Sequence, residues 1–142
     1  MKKNKSWPKG LFWAFVSLFL MYSMFGFSGQ DASQSSSLSL QFAKILTPWL
    51  PIDTAQFLVR KLAHFTIYAL MGFSYFRSLF YLTLKNKKEC FLLSLVLLMA
   101  YASLDEFHQL FVAGRSGQIQ DVMLDSCGGL LGSWISSLWF LN

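Results

Sequence analysis

YASLDEFHQLFVAGRSGQIQDVMLDSCGG, from Tyr101 to Gly129, is a polar island in an oily chain. The apolar run before its charges, Cys90 to Leu104, is 15 residues long. That is about 22 Å of helix, short of the ~30 Å hydrocarbon core of a bilayer. To cross, the helix must continue through DEFHQ, which sets Asp105, Glu106, His108 and Gln109 at the outer rim of the membrane. The next apolar run opens at Asp121 and Val122, with Asp125 one turn deeper. Two spans joined by the short turn FVAGRSGQIQ therefore carry their charges to one level.

Two further apolar runs, Leu11 to Phe27 and Leu62 to Leu84, lie upstream. With 54% apolar, 18% aromatic and 13% charged residues, the chain is too oily for an ordinary soluble domain. The expectation is an all-α integral membrane protein, one domain over 1–142, with four transmembrane helices at about 11–27, 62–84, 90–109 and 122–141. The first run follows Lys2, Lys3, Lys5 and Lys9 as a secretory signal would. It is aromatic-rich, however, and FGFSGQDASQ has no small-x-small cleavage site, so it reads as a retained signal anchor.

Basic residues set the orientation. Lys2, Lys3, Lys5, Lys9, Arg77, Lys85, Lys87 and Lys88 fall on one side, against Lys44, Arg60, Lys61 and Arg115 on the other, eight to four. The positive-inside rule then puts both termini in the cytoplasm. The net charge of +5 is accounted for by topology and gives no ground for a nucleic-acid partner. Cys90 and Cys127 fall near opposite membrane faces and read as small packing residues.

The first outer loop, 28–60, begins with a flexible serine-rich segment. Leu38, Phe42, Ile45, Leu46 and Trp49 then recur on one helical face, which predicts a short amphipathic interfacial helix over about 38–50. A re-entrant plug packed among the spans is the alternative. Pro48 and Pro51 close that helix, and Asp53 with Gln56 has the pattern of a capping box for the next.

Ionised groups in a span cost about 2.5–3.5 kcal/mol each at its centre, so they must share a paired or hydrated site. Asp105, His108 and Gln109 stand at i, i+3, i+4 on one face, with Glu106 off it, placed to cap the loop. Asp121 and Asp125 line up with Gly128 and Gly132, a GxxxG spacing that admits a close neighbour. His64 and Tyr68 are i, i+4 on the second span. Arg115, between Gly114 and Gly117, can turn inward and offer its fork of donors to a carboxylate or phosphate. An inert clasp, with Arg115 neutralising Asp121 or Asp105, is the competing reading. The carboxylates and histidines are zinc-ligand types, but no paired spacing such as HExxH occurs and an arginine in the site opposes a cation. No metal and no cofactor are expected. A Ser116 nucleophile lacks the GxSxG elbow.

RKLAHFTIYALMG (60–72), DEFHQLFVAGRSGQIQDVMLD (105–125) and the glycine-bearing last span together resemble the VanZ-like family, small bacterial membrane proteins named from a glycopeptide-resistance cluster. The resemblance covers most of the chain, including FGFSGQDASQSS after the first span. Position by position it points to Lys61, His64, Tyr68, Asp105, Glu106, His108, Gln109, Arg115, Asp121 and Asp125. Many relatives have a glutamate just before the tyrosine of the second span. Ile67 stands there in this chain, which puts any mechanism needing that carboxylate in question. The resemblance implies a place in the cell envelope and reduced sensitivity to teicoplanin-type lipoglycopeptides.

The expected site is an outer-leaflet pocket for the head of a membrane lipid or lipid-linked envelope precursor. Arg115, Lys61 and Arg60 would hold an anion there, with Tyr68, Glu106, Gln109 and Asp121 completing the binding set. If the protein is an enzyme, His108, His64, Asp105 and Asp125 are the acid–base candidates. Three classes follow: a non-catalytic binding protein, a hydrolase or transferase acting on a phospholipid or glycolipid head group, and a proton-coupled lipid carrier. The carrier would need a homo-oligomer, given so short a chain.

Overall fold

The structure is a computed structural model and describes residues 6–45, 47–83 and 86–139. Five helices follow one another: α1 (Trp7–Ser28), α2 (Ala32–Ala43), α3 (Ile52–Leu82), α4 (Lys87–Gln109) and α5 (Ile119–Leu138). No strand occurs among the described residues. Of the basic residues that set the expected orientation, Lys2, Lys3, Lys5 and Lys85 lie outside them, as does the expected end of the last span at Leu141.

α1 and α4 are long and apolar enough to cross a membrane. The four expected spans fall within α1, α3, α4 and α5, but α3 is longer than its expected span. It starts ten residues earlier, at Ile52, and its 31 residues reach about 46 Å. The expected Asp53–Gln56 capping box does not form. Pro51 is the N-cap, no side chain caps it, and Asp53 lies in the first turn. Gln56 Nε2 instead donates to the Ser36 carbonyl at 3.4 Å. The capping box is at α4, where Asn86 Oδ1 accepts from the Glu89 N–H (2.9 Å) and Glu89 accepts from the Asn86 N–H (3.2 Å).

The helix expected over 38–50 is α2, at 32–43, and the serines expected to be flexible form it. Asp31 opens it by accepting the Ser35 N–H at 3.0 Å. Weak serine propensity is overridden by docking: Ser39 and Ala43 are buried and α2 packs on α3. Of the expected apolar face, Phe42, Ile45 and Trp49 are exposed, Trp49 beyond the helix end. Leu46 and the Leu38 side chain lie outside what is described. Thus α2 docks through the small residues Ser39 and Ala43, with Phe42 on the outside and Leu40 half-buried.

The same inversion holds for the bundle. Leu11, Phe15, Leu18, Tyr22, Val96, Phe107, Trp134 and Leu138 are exposed, whereas Ser17, Ser74, Ser94, Asp105, Gln109, Asp125, Ser133 and Ser136 are buried. Small residues bring the helices together. A Cβ at Gly128 would collide with the Phe65 carbonyl, and one at Gly132 with the Ala69 carbonyl, so the GxxxG face of α5 lies directly on the α3 backbone. Serines tie these contacts. Ser94 Oγ bonds Ser133 Oγ (3.0 Å), which bonds the Gly72 carbonyl (3.1 Å), and Ser17 bonds Ser74 (2.9 Å). At the end opposite the acidic residues, the Arg77 guanidinium lies over the Trp13, Phe73 and Trp139 rings, 4.7 to 5.3 Å from their centroids.

Candidate functional site

α3 and α5 run parallel, and the glycine contacts fix their register. Four residues apart on α5, Asp121 and Asp125 meet Lys61 and His64 on α3. Lys61 and Asp121 form an ion pair near the outer opening. Deeper, His64 Nδ1 and Asp125 Oδ2 are 3.4 Å apart, with Asp125 fully buried. Asp105 arrives from α4, 3% exposed, and one ligand atom from each of His64, Asp105 and Asp125 lies within 4.8 Å of the others. Ser28 is the hydrogen-bonding neighbour of Asp105, whereas Asp125 Oδ1 and the buried Tyr68 hydroxyl have no partner.

The α4 face divides. Asp105 and Gln109 turn inward, and Gln109 Nε2 donates to Ser28 Oγ at 3.0 Å. His108 stacks on Phe25 of α1, with centroids 4.5 Å apart and planes at 21°, and is not one of the three converging residues. Glu106 Oε2 accepts the Gln118 N–H at 2.8 Å, which ties α4 to the start of α5 as its position off the α4 face led us to expect. A Cβ at Gly117 would collide with the Glu106 carbonyl, so the loop needs glycine there.

Gly114 has φ 72°, in the left-handed region, and turns the chain so that Arg115 points back over the bundle. Arg115 Nε donates to the Gln30 carbonyl at 3.3 Å. Burial lowers its pKa below the usual arginine value; neighbouring Arg60 adds to the effect, while Asp105, Glu106 and Asp121 oppose it. The guanidinium still keeps its charge at any working pH. The competing clasp, Arg115 on Asp121 or Asp105, does not form: among the described residues the ion pairs are Lys61–Asp121 and His64–Asp125.

Two cavities of about 270 Å³ each adjoin this cluster. One is polar and lies among α3, α5 and the α4–α5 loop, with Lys61, Gln109, Ser116, Asp121 and Asp125 in its walls. The other is apolar and lies among α1, α2 and α3, lined by Met24, Phe27, Phe42, Val59 and Ile67. Arg60, His64 and Arg115 line both. Ile67 thus faces a greasy space.

Ser28 and the Gln30 carbonyl escaped the sequence reading. The signal for Ser28 lay in α1, whose buried residues Gly10, Ser17 and Met24 recur every seven positions, with Ser28 four further on.

Helices that include two long and apolar enough to cross a membrane, closed around a buried carboxylate–histidine cluster beside a polar cavity, define an all-helical protein built around a polar site. The family is given by a sequence profile: that of the VanZ/LLP1 family matches residues 13–140, and the chain belongs to this family. No match is found among curated proteins or among solved structures.

Proposed function

We propose that this protein is a four-span protein of the bacterial cytoplasmic membrane, with both termini inside, that holds the anionic head group of a lipid or lipid-linked envelope precursor at the outer leaflet. The exterior of phenylalanine, leucine and tryptophan around an interior of serine, aspartate and glutamine supports the membrane setting. The observation that carries the ligand class is the pair of adjoining cavities sharing Arg60, His64 and Arg115. A polar chamber beside an apolar one, with two guanidiniums at their junction, matches an amphiphile with an anionic head. Neither guanidinium is consumed by a carboxylate among the described residues. Holding or shielding such a lipid is the route by which a VanZ-like protein would lower sensitivity to teicoplanin-type lipoglycopeptides.

The test is lipid retention by the purified chain in neutral micelles. Phosphatidylglycerol is expected to be retained over phosphatidylcholine, and Arg115→Gln to weaken retention by roughly 10- to 100-fold, the worth of a charge-assisted hydrogen bond. Equal retention of both lipids, or an unaffected Arg115→Gln, would sink the reading.

One observation favours a second reading, a hydrolase or transferase acting on that head group. His64 stands against Asp125 in the wall of the polar cavity, where a carboxylate-oriented imidazole can move a proton. Under it, His64→Gln would keep lipid retention and lose turnover of a phospholipid or glycolipid. No feature of the structure favours the carrier.

A further inference from the structure

We propose that His64, Asp105 and Asp125 form a binding site for a divalent metal ion of the zinc class, open on one side to the polar cavity. Zinc was set aside at the level of sequence because the ligands come from three helices, with no local spacing to mark them.

Four observations carry it. First, the ligand atoms of the three residues lie within 4.8 Å of one another, and two of the three residues are buried. Second, His64 Nδ1 and Asp125 Oδ2 are 3.4 Å apart, long for a hydrogen bond. It is, however, the edge of a tetrahedron around an ion with ligands at ~2.1 Å, an edge of roughly 3.4 Å. Third, Asp125 Oδ1 is fully buried with no hydrogen-bond partner, and Asp105 has only the Ser28 hydroxyl beside it, so a solely structural cluster would leave carboxylate oxygens unsatisfied. Fourth, and independent of these carboxylates, Tyr68 is fully buried, its hydroxyl has no partner, and it lies one turn from His64 within electrostatic reach of Asp105 and Asp125.

Charge points the same way. Two buried carboxylates face one imidazole, and a neutral imidazole with two carboxylates balances a dication. Of the basic groups nearby, Lys61 is paired with Asp121; Arg60 and Arg115 keep their charge in the cavity wall, where they oppose a bare dication and favour one that carries an anionic fourth ligand. His64 and Asp125 line the polar cavity, so the fourth coordination position would face it, open to water or to an anionic group held by Arg60 and Arg115.

The experiment uses the full chain purified in neutral detergent, free of added lipid, with the metal alone as probe. After equilibration with zinc and desalting, about one zinc per chain is expected. Cobalt in its place should give the intense visible absorption of a four-coordinate ion. Asp105→Asn and Asp125→Asn, close in shape to the originals, should each lose at least ~10-fold in affinity. Asp53→Asn, far from the cluster, should retain the metal. Without metal, Asp105→Asn should melt higher than the unchanged chain, because it removes an uncompensated buried charge; with zinc the order should reverse.

The cobalt spectrum and zinc content are read on the unmutated chain, so a variant that fails to fold leaves the test standing. An unmutated chain holding no zinc and showing no cobalt band would overturn the proposal. So would folded Asp105→Asn and Asp125→Asn chains that bind like the original. A chain that holds zinc and retains no phosphatidylglycerol would sink the lipid reading alone, and the converse would sink the metal site alone.

Discussion

Lys61 and Asp121 are each about three-quarters buried, with side-chain exposures of 25% and 20%, and each is the other's ion-pair partner. Lys61→Met therefore strands a largely buried carboxylate, and a loss of ~1–3 kcal/mol is expected. Replacing both, with Lys61→Met and Asp121→Leu, should recover most of it, since two apolar groups leave nothing unpaired. Thermal melting in micelles reads both, and a Lys61→Met chain as stable as the original would show that the pair contributes nothing. At this scale the sequence went far: the ten residues singled out are those gathered at the outer end of α3, α4 and α5 and in their loop. It misled at His108. Residues i and i+3 on a helix differ by about 60° in direction, enough to share a face on paper. Here α1 lies along that edge, so Asp105 and Gln109 enter the interior while His108 meets Phe25.

At the scale of elements, the α3–α5 contact governs the site because it sets Lys61 against Asp121 and His64 against Asp125. Gly132→Leu drives a side chain into the Ala69 backbone, where nothing flexible can yield. A destabilisation of ~1–3 kcal/mol or more is expected, together with loss of whatever the site binds. Gly26 has nothing near its missing Cβ, so Gly26→Ala is the control and should melt like the original. Equal melting of the two variants would mean the helices do not meet as described. The GxxxG spacing was legible in the sequence; its partner was not, because nothing local in α3 marks Ala69 or Phe65 as the surface that receives it. α2 was misplaced for a related reason. Its apolar periodicity marked the face expected in the membrane interface, and Phe42 and Ile45 of that face are exposed; the small residues Ser39 and Ala43, which dock it on α3 and set its bounds, carry no such periodicity.

For the whole molecule, the proposed orientation puts the α4–α5 loop outside the cell. Gly117 cannot carry a label, since any side chain there strikes the Glu106 carbonyl, but Ser116 is exposed. In a Cys127→Ser background, with Cys90 buried, Ser116→Cys should react with an impermeant thiol reagent added to intact cells. Reaction only after the cytoplasmic face is opened would reverse the orientation and remove the outer leaflet from the proposal. Run lengths made the helical framework readable, because they follow from how far a helix reaches. That His64, Asp105 and Asp125 share one site was expected from their common level; that they close on one another without His108 was beyond that reading, since it depends on how three helices meet. The wall common to the two cavities has a consequence for any occupant. Because Arg60, His64 and Arg115 serve both chambers, filling one alters the other, and the two occupancies are linked reciprocally: whatever factor a head group applies to the affinity for a tail, the tail returns to the head.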